Sequence, residues 1–145
     1  MQELVRLGRS VLVTAYTNTA VDNILLKLVE AGMHNFLRLG RPDAVHPDIR
    51  PYVQGGARNQ YADAPGLRRL VRTVPVIGAT CLGAARFPLL KRRLLDVCIL
   101  DEASQVTLPV SLAPILRARI FALVWLPAEL VFLYPKLTMY RYTLI

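Results

Sequence analysis

The sequence predicts an α/β protein, a parallel sheet flanked by helices, on three observations. Short apolar runs rich in β-branched residues recur along the chain: SVLVTA, VPVIGAT, DVCIL and RIFALV. They lack the polar alternation of a half-exposed strand, as expected of strands covered on both faces. Segments with helical spacing fall between them, and alternating strand and helix is the order that builds parallel sheets. Finally, 145 residues with 54% apolar content suit one domain of ordinary size with its own core.

Taken in order, Ser10 to Ala15 is the first strand. In TNTAVDNILLKLVEAG, Val21, Ile24, Leu25 and Leu28 lie at spacings of three and four, which predicts a helix. Thr19, with Asp22 three residues on, can start it through a hydroxyl and a carboxylate that meet free N–H groups; Gly32 can end it. NFLRLG is a second short strand, which makes a parallel strand–helix–strand unit. RPDAVHPDIRPYVQGGARNQYADAPG, with four prolines and a Gly-Gly pair, reads as a long surface loop or small insertion. Beyond it come a short basic helix (LRRLVRT), a strand (VPVIGAT), a helix (FPLLKRRLL) and a strand (DVCIL). A helix follows over SQVTLPVSLAPIL in spite of Pro109 and Pro114, then a strand over RIFALV. No internal repeat occurs.

Eighteen Lys and Arg against ten Asp and Glu give a net charge of +8, which favours anionic partners such as nucleic acid. Cys81 and Cys98 lack C-x-x-C spacing, so neither a disulfide framework nor a zinc site is expected; both read as packing residues of a reducing compartment. His34 and His46 read as loop residues. Lys91 to Arg93 and Arg68 to Arg72 read as solvated helix faces before they read as nucleic-acid contacts. MQELVRLGRS mixes acid and base without a long apolar core, unlike a secretory signal. Ile120 to Pro135 is strongly apolar, but Pro127 and Glu129 interrupt it and it falls short of the roughly 20 residues of a spanning helix. A buried strand and helix are expected there, and no membrane partner.

The chemistry gathers at strand ends. Asp101 and Glu102 close the run Val97 to Leu100, at the edge where ligands of open α/β sheets bind. Such a pair suits phosphoryl transfer, one carboxylate orienting Mg²⁺ and its neighbour acting on the attacking water. It equally suits a solvated cap on the following helix, where negative charge meets the positive dipole end. AYTNTAVDN and GATCLG follow two other strands and supply hydroxyls, amides and small residues for phosphate oxygens, or for ordinary turns and caps.

Together, VLVTAYTNTAVDNILLKL, FLRLGRPDAVHPDI, VIGATCLG and LDVCILDEASQVTLPVSLAPIL resemble, in order from about Ser10 to Val124, the helicase core of the DNA replication ATP-dependent helicase/nucleases. That family lies in the superfamily 1 branch that includes the nonsense-mediated decay RNA helicases. The resemblance implies a RecA-like motor fold over residues 1–124 that uses ATP and Mg²⁺ and acts on single-stranded DNA in replication and repair. It implies a nuclear, and also a mitochondrial, location and replication and repair proteins as partners. TAYTNTAVDN is similar to motif Ia, so Thr17 and Asn18 would face the DNA backbone, with Asp22 and Asn23 shaping the loop. GATCLG is similar to motif Ic, which makes Thr80 a phosphate contact. DEASQ is similar to motif II: Asp101 would serve Mg²⁺, Glu102 the hydrolytic water, and Gln105 the link between nucleotide state and DNA.

The sequence departs from the family pattern in two places. The phosphate loop G-x-x-x-x-G-K-[ST] occurs nowhere in it, and the family's loop lies just before a helix whose tail resembles MQELVRLG. The fold is thus expected without the P-loop strand, incomplete beside RIFALV, with a hydrophobic edge that the apolar tail 125–145 could cover. After Val124 that tail matches no part of the family pattern. Without the loop and a second motor domain, the expectation is an inactive segment of a helicase that keeps its DNA-contact motifs. The alternatives are a non-catalytic nucleic-acid or partner-binding module and an RNA helicase of the same branch.

Overall fold

The computed structural model describes residues 1–125 and 130–135. After a short helix α1 (Gln2–Arg6), the chain runs through β1 (Val11–Ala15), α2 (Asn18–Glu30) and β2 (Phe36–Leu39). Two 3₁₀ turns (Pro42–Ala44 and Pro47–Tyr52) lead to α3 (Ala64–Thr73), β3 (Val76–Thr80) and α4 (Cys81–Arg86). Then come β4 (Leu95–Leu100), α5 (Leu108–Ile115), β5 (Ala118–Trp125) and β6 (Leu130–Pro135).

The strands form one sheet in the order β2-β3-β1-β4-β5-β6. The first five are parallel, as the sequence predicts; β6 runs antiparallel beside β5, from Ile120 opposite Pro135 to Trp125 opposite Leu130. Alternate residues of β1, β2 and β3 feed two cores. Val11, Val13 and Val76 face α2, with Leu25 and Leu28, while Leu12, Ile77 and Leu100 face the layer built by α3, α4 and α5. Both faces of β1, β2 and β3 are covered, which is why these strands read as unbroken apolar runs. Gly78 permits the closest approach on the α2 side: a Cβ there would lie 2.8 Å from Leu25 Cδ1.

Four local expectations are corrected. The start of α2 is capped by Thr17, not Thr19: Thr17 is extended, and its Oγ1 accepts the Ala20 N–H at 3.1 Å. Asp22 takes no part in the cap because Arg38 engages its carboxylate in the interior. At the other end Gly32 acts as expected, at φ 76°, with its N–H bonded to Val29 and that of Met33 to Leu28. The strands β1 and β2 are parallel, as expected of the strand–helix–strand unit, with β3 between them.

The proline-rich segment is not a surface loop. It buries Val45, Ile49, Tyr52 and Val53 against the α2 face, and Val53 forms a parallel bridge to Arg38 beside β2. Asn59 holds it by donating to the carbonyls of Phe36 and Tyr52. Prolines give this segment no helical or strand period, yet they do not prevent burial of its apolar side chains. The expected helix FPLLKRRLL is only the 3₁₀ turn Leu90–Arg92; the helix is α4, which starts directly at the end of β3. Pro88 explains the break, because it forces Phe87 out of the helical region, to ψ 108°. Finally, the described part of Ile120 to Pro135 is two strands rather than strand and helix, as its β-branched and aromatic residues favour pairing. Pro127 and Glu129 lie outside the described residues, as does the rest of the tail from residue 136.

Candidate nucleotide and nucleic-acid edge

Strand register brings the singled-out residues to one edge. Ala15 pairs with Thr80, and Thr14 with both Ala79 and Leu100, so the chain leaves β1, β3 and β4 at the same carboxyl end of the sheet. Thr17 and Asn18 follow β1, Thr80 ends β3, and Asp101 and Glu102 follow β4.

Each of the three neutral groups has its acceptor atom occupied from within. Thr17 Oγ1 takes the Ala20 N–H, and Thr80 Oγ1 takes the Gly83 N–H at 3.0 Å. Asn18 Oδ1 takes a hydrogen bond from Arg38 Nη2 at 2.9 Å. A guanidinium only donates, so this contact fixes the amide with its oxygen inward and its NH₂ outward. Asn18 and Thr17 are exposed and Thr80 half-buried, so what this edge offers outward is two O–H groups and one NH₂.

The anchor behind Asn18 escaped the sequence reading. Arg38 is fully buried on β2, its Nε 2.7 Å from Asp22 Oδ1, and its Nη1 donates to the Leu39 carbonyl. The other Asp22 oxygen accepts the His46 N–H. One satisfied network thus ties β2, α2 and the proline-rich segment to the Asn18 side chain, and removing either charge would leave the other buried and unpaired, at a cost of about 3–5 kcal/mol. The only signal in the sequence is an arginine inside an apolar run, where a charge needs a partner.

At the end of β4 the Asp101 N–H donates to the Thr14 carbonyl, which continues the ladder by one residue. The chain then turns sharply, with Glu102 left-handed at φ 52° and ψ 39° before the 3₁₀ turn Ala103–Gln105. Glu102 is the one non-glycine residue at positive φ among those described. Neither carboxylate forms an ion pair or hydrogen bond among the described residues, so both remain available as oxygen ligands. Two carboxylates with bound water suit Mg²⁺, which takes few protein ligands. The phosphate-cradling loop has no counterpart in the sequence, so the residues present fit the metal and not the whole nucleotide. Gln105 is exposed beyond the turn, its N–H bonded to the Glu102 carbonyl.

A smaller cleft of about 320 Å³ adjoins this edge between β2 and α4 and is lined by Gly40, Arg41, Gly83 and Arg86 among others. The sequence reading passed over both arginines. His34 bonds the Tyr52 hydroxyl at 2.7 Å, and His46 Nδ1 accepts the Asp48 N–H. No group of three or more His, Cys, Asp or Glu residues able to hold a metal occurs among those described. Cys81 and Cys98 are buried and free, with thiol pKa values raised chiefly by burial, as packing residues should be. No described helix is long and apolar enough to cross a membrane.

A five-stranded parallel layer flanked by helices, with acids and hydroxyls at its carboxyl edge, is an α/β architecture of the RecA-like type. Residues 53–124 match the family model described as AAA domain. More specifically, most of the chain is similar to a segment of the DNA replication ATP-dependent helicase/nucleases. It is 44% identical over 117 residues to DNA replication ATP-dependent helicase/nuclease JHS1 of Arabidopsis thaliana. It is 43% identical over 119 residues to DNA replication ATP-dependent helicase/nuclease DNA2 of Mus musculus, and 41% identical over 119 to that of Homo sapiens. Each match covers 81% of this chain but only 8%, 11% and 11% of those relatives. The chain thus spans about a tenth of the length of the curated relatives it matches.

Proposed function

We propose that residues 1–124 are a segment of a helicase motor domain whose carboxyl edge contacts the phosphodiester backbone of single-stranded DNA. One observation carries the reading: Thr17, Asn18 and Thr80 stand at the same sheet edge, each accepts an internal hydrogen bond, and each keeps a donor group free for a ligand. Phosphate oxygens only accept, so three donors at one edge suit a backbone and carry no base preference. The net charge of +8 works in the same direction.

Asp101 and Glu102 complete the proposal as the acids of a Mg²⁺–ATP site. Bound there, the metal would neutralise charge on the transferred phosphoryl group. Asp101 would hold the ion through a carboxylate oxygen, while Glu102, set apart by its left-handed turn, would orient a water. Gln105, on the same turn, would sense the change and pass it to the DNA side. ATP turnover by this chain alone is not part of the proposal, because nothing in its sequence replaces the phosphate loop. By the same reading, residues 125–145 are an apolar tail outside the family pattern, whose described part pairs with β5, and the location is the nucleus, where DNA replication takes place.

The decisive variant is Asn18→Asp. It keeps an oxygen for Arg38 but replaces the outward donor with a second oxygen carrying negative charge. Binding of a labelled single-stranded oligonucleotide should weaken at least about tenfold, the value of about 1.4 kcal/mol, with thermal stability retained. Equal affinity of variant and parent would remove Asn18 from the interface. RNA of the same sequence, used as competitor, separates this reading from that of an RNA helicase of the same branch.

A further inference from the structure

Between Asp63 and Asp96 the chain has seven Lys and Arg residues and no acid, while the rest of the chain is nearly balanced, with eleven against ten. The net charge is therefore concentrated in the segment that holds α3 and the turn Leu90–Arg92. The fold gathers four of these cations, Arg68, Arg69, Arg72 and Arg92, around a single cleft of about 630 Å³ with Val71 and Leu89 as its apolar wall.

All four arginines are exposed, and none of their guanidinium groups makes a hydrogen bond or ion pair among the described residues. Arg93, in the same stretch, behaves differently: it is half-buried and donates to the Val71 carbonyl. Arg68 and Arg72 are four apart on α3, and Arg69 and Arg72 three apart. Like charges at these spacings lower helix stability by a few tenths of a kcal/mol per pair, and no carboxylate relieves them here.

We infer that this cleft is a second nucleic-acid contact, which takes the phosphate groups of a strand in a sequence-independent way. A guanidinium fork matches two phosphate oxygens at once, and four forks around a concave site fit a run of phosphates. A planar layer of lipid headgroups would fit a flat basic face better than a cleft. Among the described residues no aromatic side chain lines the cleft, so recognition there rests on the backbone and not on base stacking. None of the carboxyl-edge groups lines it, and the inference stands whether or not Asn18 touches DNA.

Salt dependence is the direct test, made on the full chain. Each phosphate contact on a single strand contributes about −0.7 to the slope of log affinity against log salt. The set R68Q/R69Q/R72Q/R92Q should flatten that slope by up to about 3, and the pair R68Q/R92Q by about half as much. Gln and Arg have similar helix propensity and all four sites are exposed, so the thermal transition should hold. Lysine at the same four positions should restore most of the slope. An unchanged slope in a folded glutamine variant would overturn the inference. So would tighter binding of the parent to phosphatidylserine vesicles than to the oligonucleotide.

Discussion

At the scale of single residues, Glu102 holds a backbone conformation that costs a side-chain-bearing residue on the order of 1 kcal/mol and costs glycine little. Strain of this kind gathers at functional positions, where the surroundings must hold it in place. Glu102→Gly should therefore raise unfolding stability by about 1 kcal/mol, read by urea denaturation, while Glu102→Gln leaves it unchanged. Loss of stability in the glycine variant would mean that the carboxylate, not the backbone, holds the turn. Arg38 shows the opposite case, a charge kept in the interior because its Nε, Nη2 and Nη1 each meet an acceptor: Asp22, Asn18 and the Leu39 carbonyl. DEASQ could be read from the sequence because acids after an apolar run stand out. The role of Arg38 could not, since its partners lie 16 and 20 residues away.

Among the elements, β1 and β4 are latched at their amino ends. The Ser10 N–H and hydroxyl both donate to Asp96 Oδ2 at 2.8 Å, and Arg9 lies 3.8 Å from its other oxygen. The carboxyl is held below its usual pKa, first by the Ser10 backbone N–H, against an opposing effect of burial, and further by the Ser10 hydroxyl and the charges of Arg9 and Arg119. A lowered folded value stabilises the fold above the unfolded value of about 3.9, and that contribution fades as pH falls through the folded value. Asp96→Asn should thus cost on the order of 1 kcal/mol at neutral pH, and the gap to the parent should close in acid, below about pH 4. Denaturation curves at the two pH values check it; a gap that persists in acid would assign the cost to packing. The element order also shows where periodicity misleads: FPLLKRRLL has helical spacing but sits behind Pro88, whereas CLGAAR has none and forms α4 because Thr80 caps it.

For the whole molecule, the main consequence of the topology is the pairing of β6, from the apolar tail, along β5, over the hydrophobic edge that the sequence reading allows that tail to cover. A chain ending at Val124 should expose that edge and self-associate, seen as dimers or larger species by size-exclusion chromatography with light scattering. A monomeric truncated chain would show that β5 tolerates an open edge. The charge distribution is the other whole-molecule property, since it puts the Arg68 to Arg92 cleft and the carboxyl-edge donors in one strongly basic body. By itself the sequence determined the fold class, the parallel strands and the kinship. Unbroken β-branched runs alternating with helices leave few other arrangements, and local motifs carry family identity. Only the tertiary structure decided the strand order, the burial of the proline-rich segment, the Arg38 network and the grouping of four exposed arginines around one cleft. Each of these depends on contacts between residues distant in sequence, whose free energies come from burial and pairing and leave no local period to read.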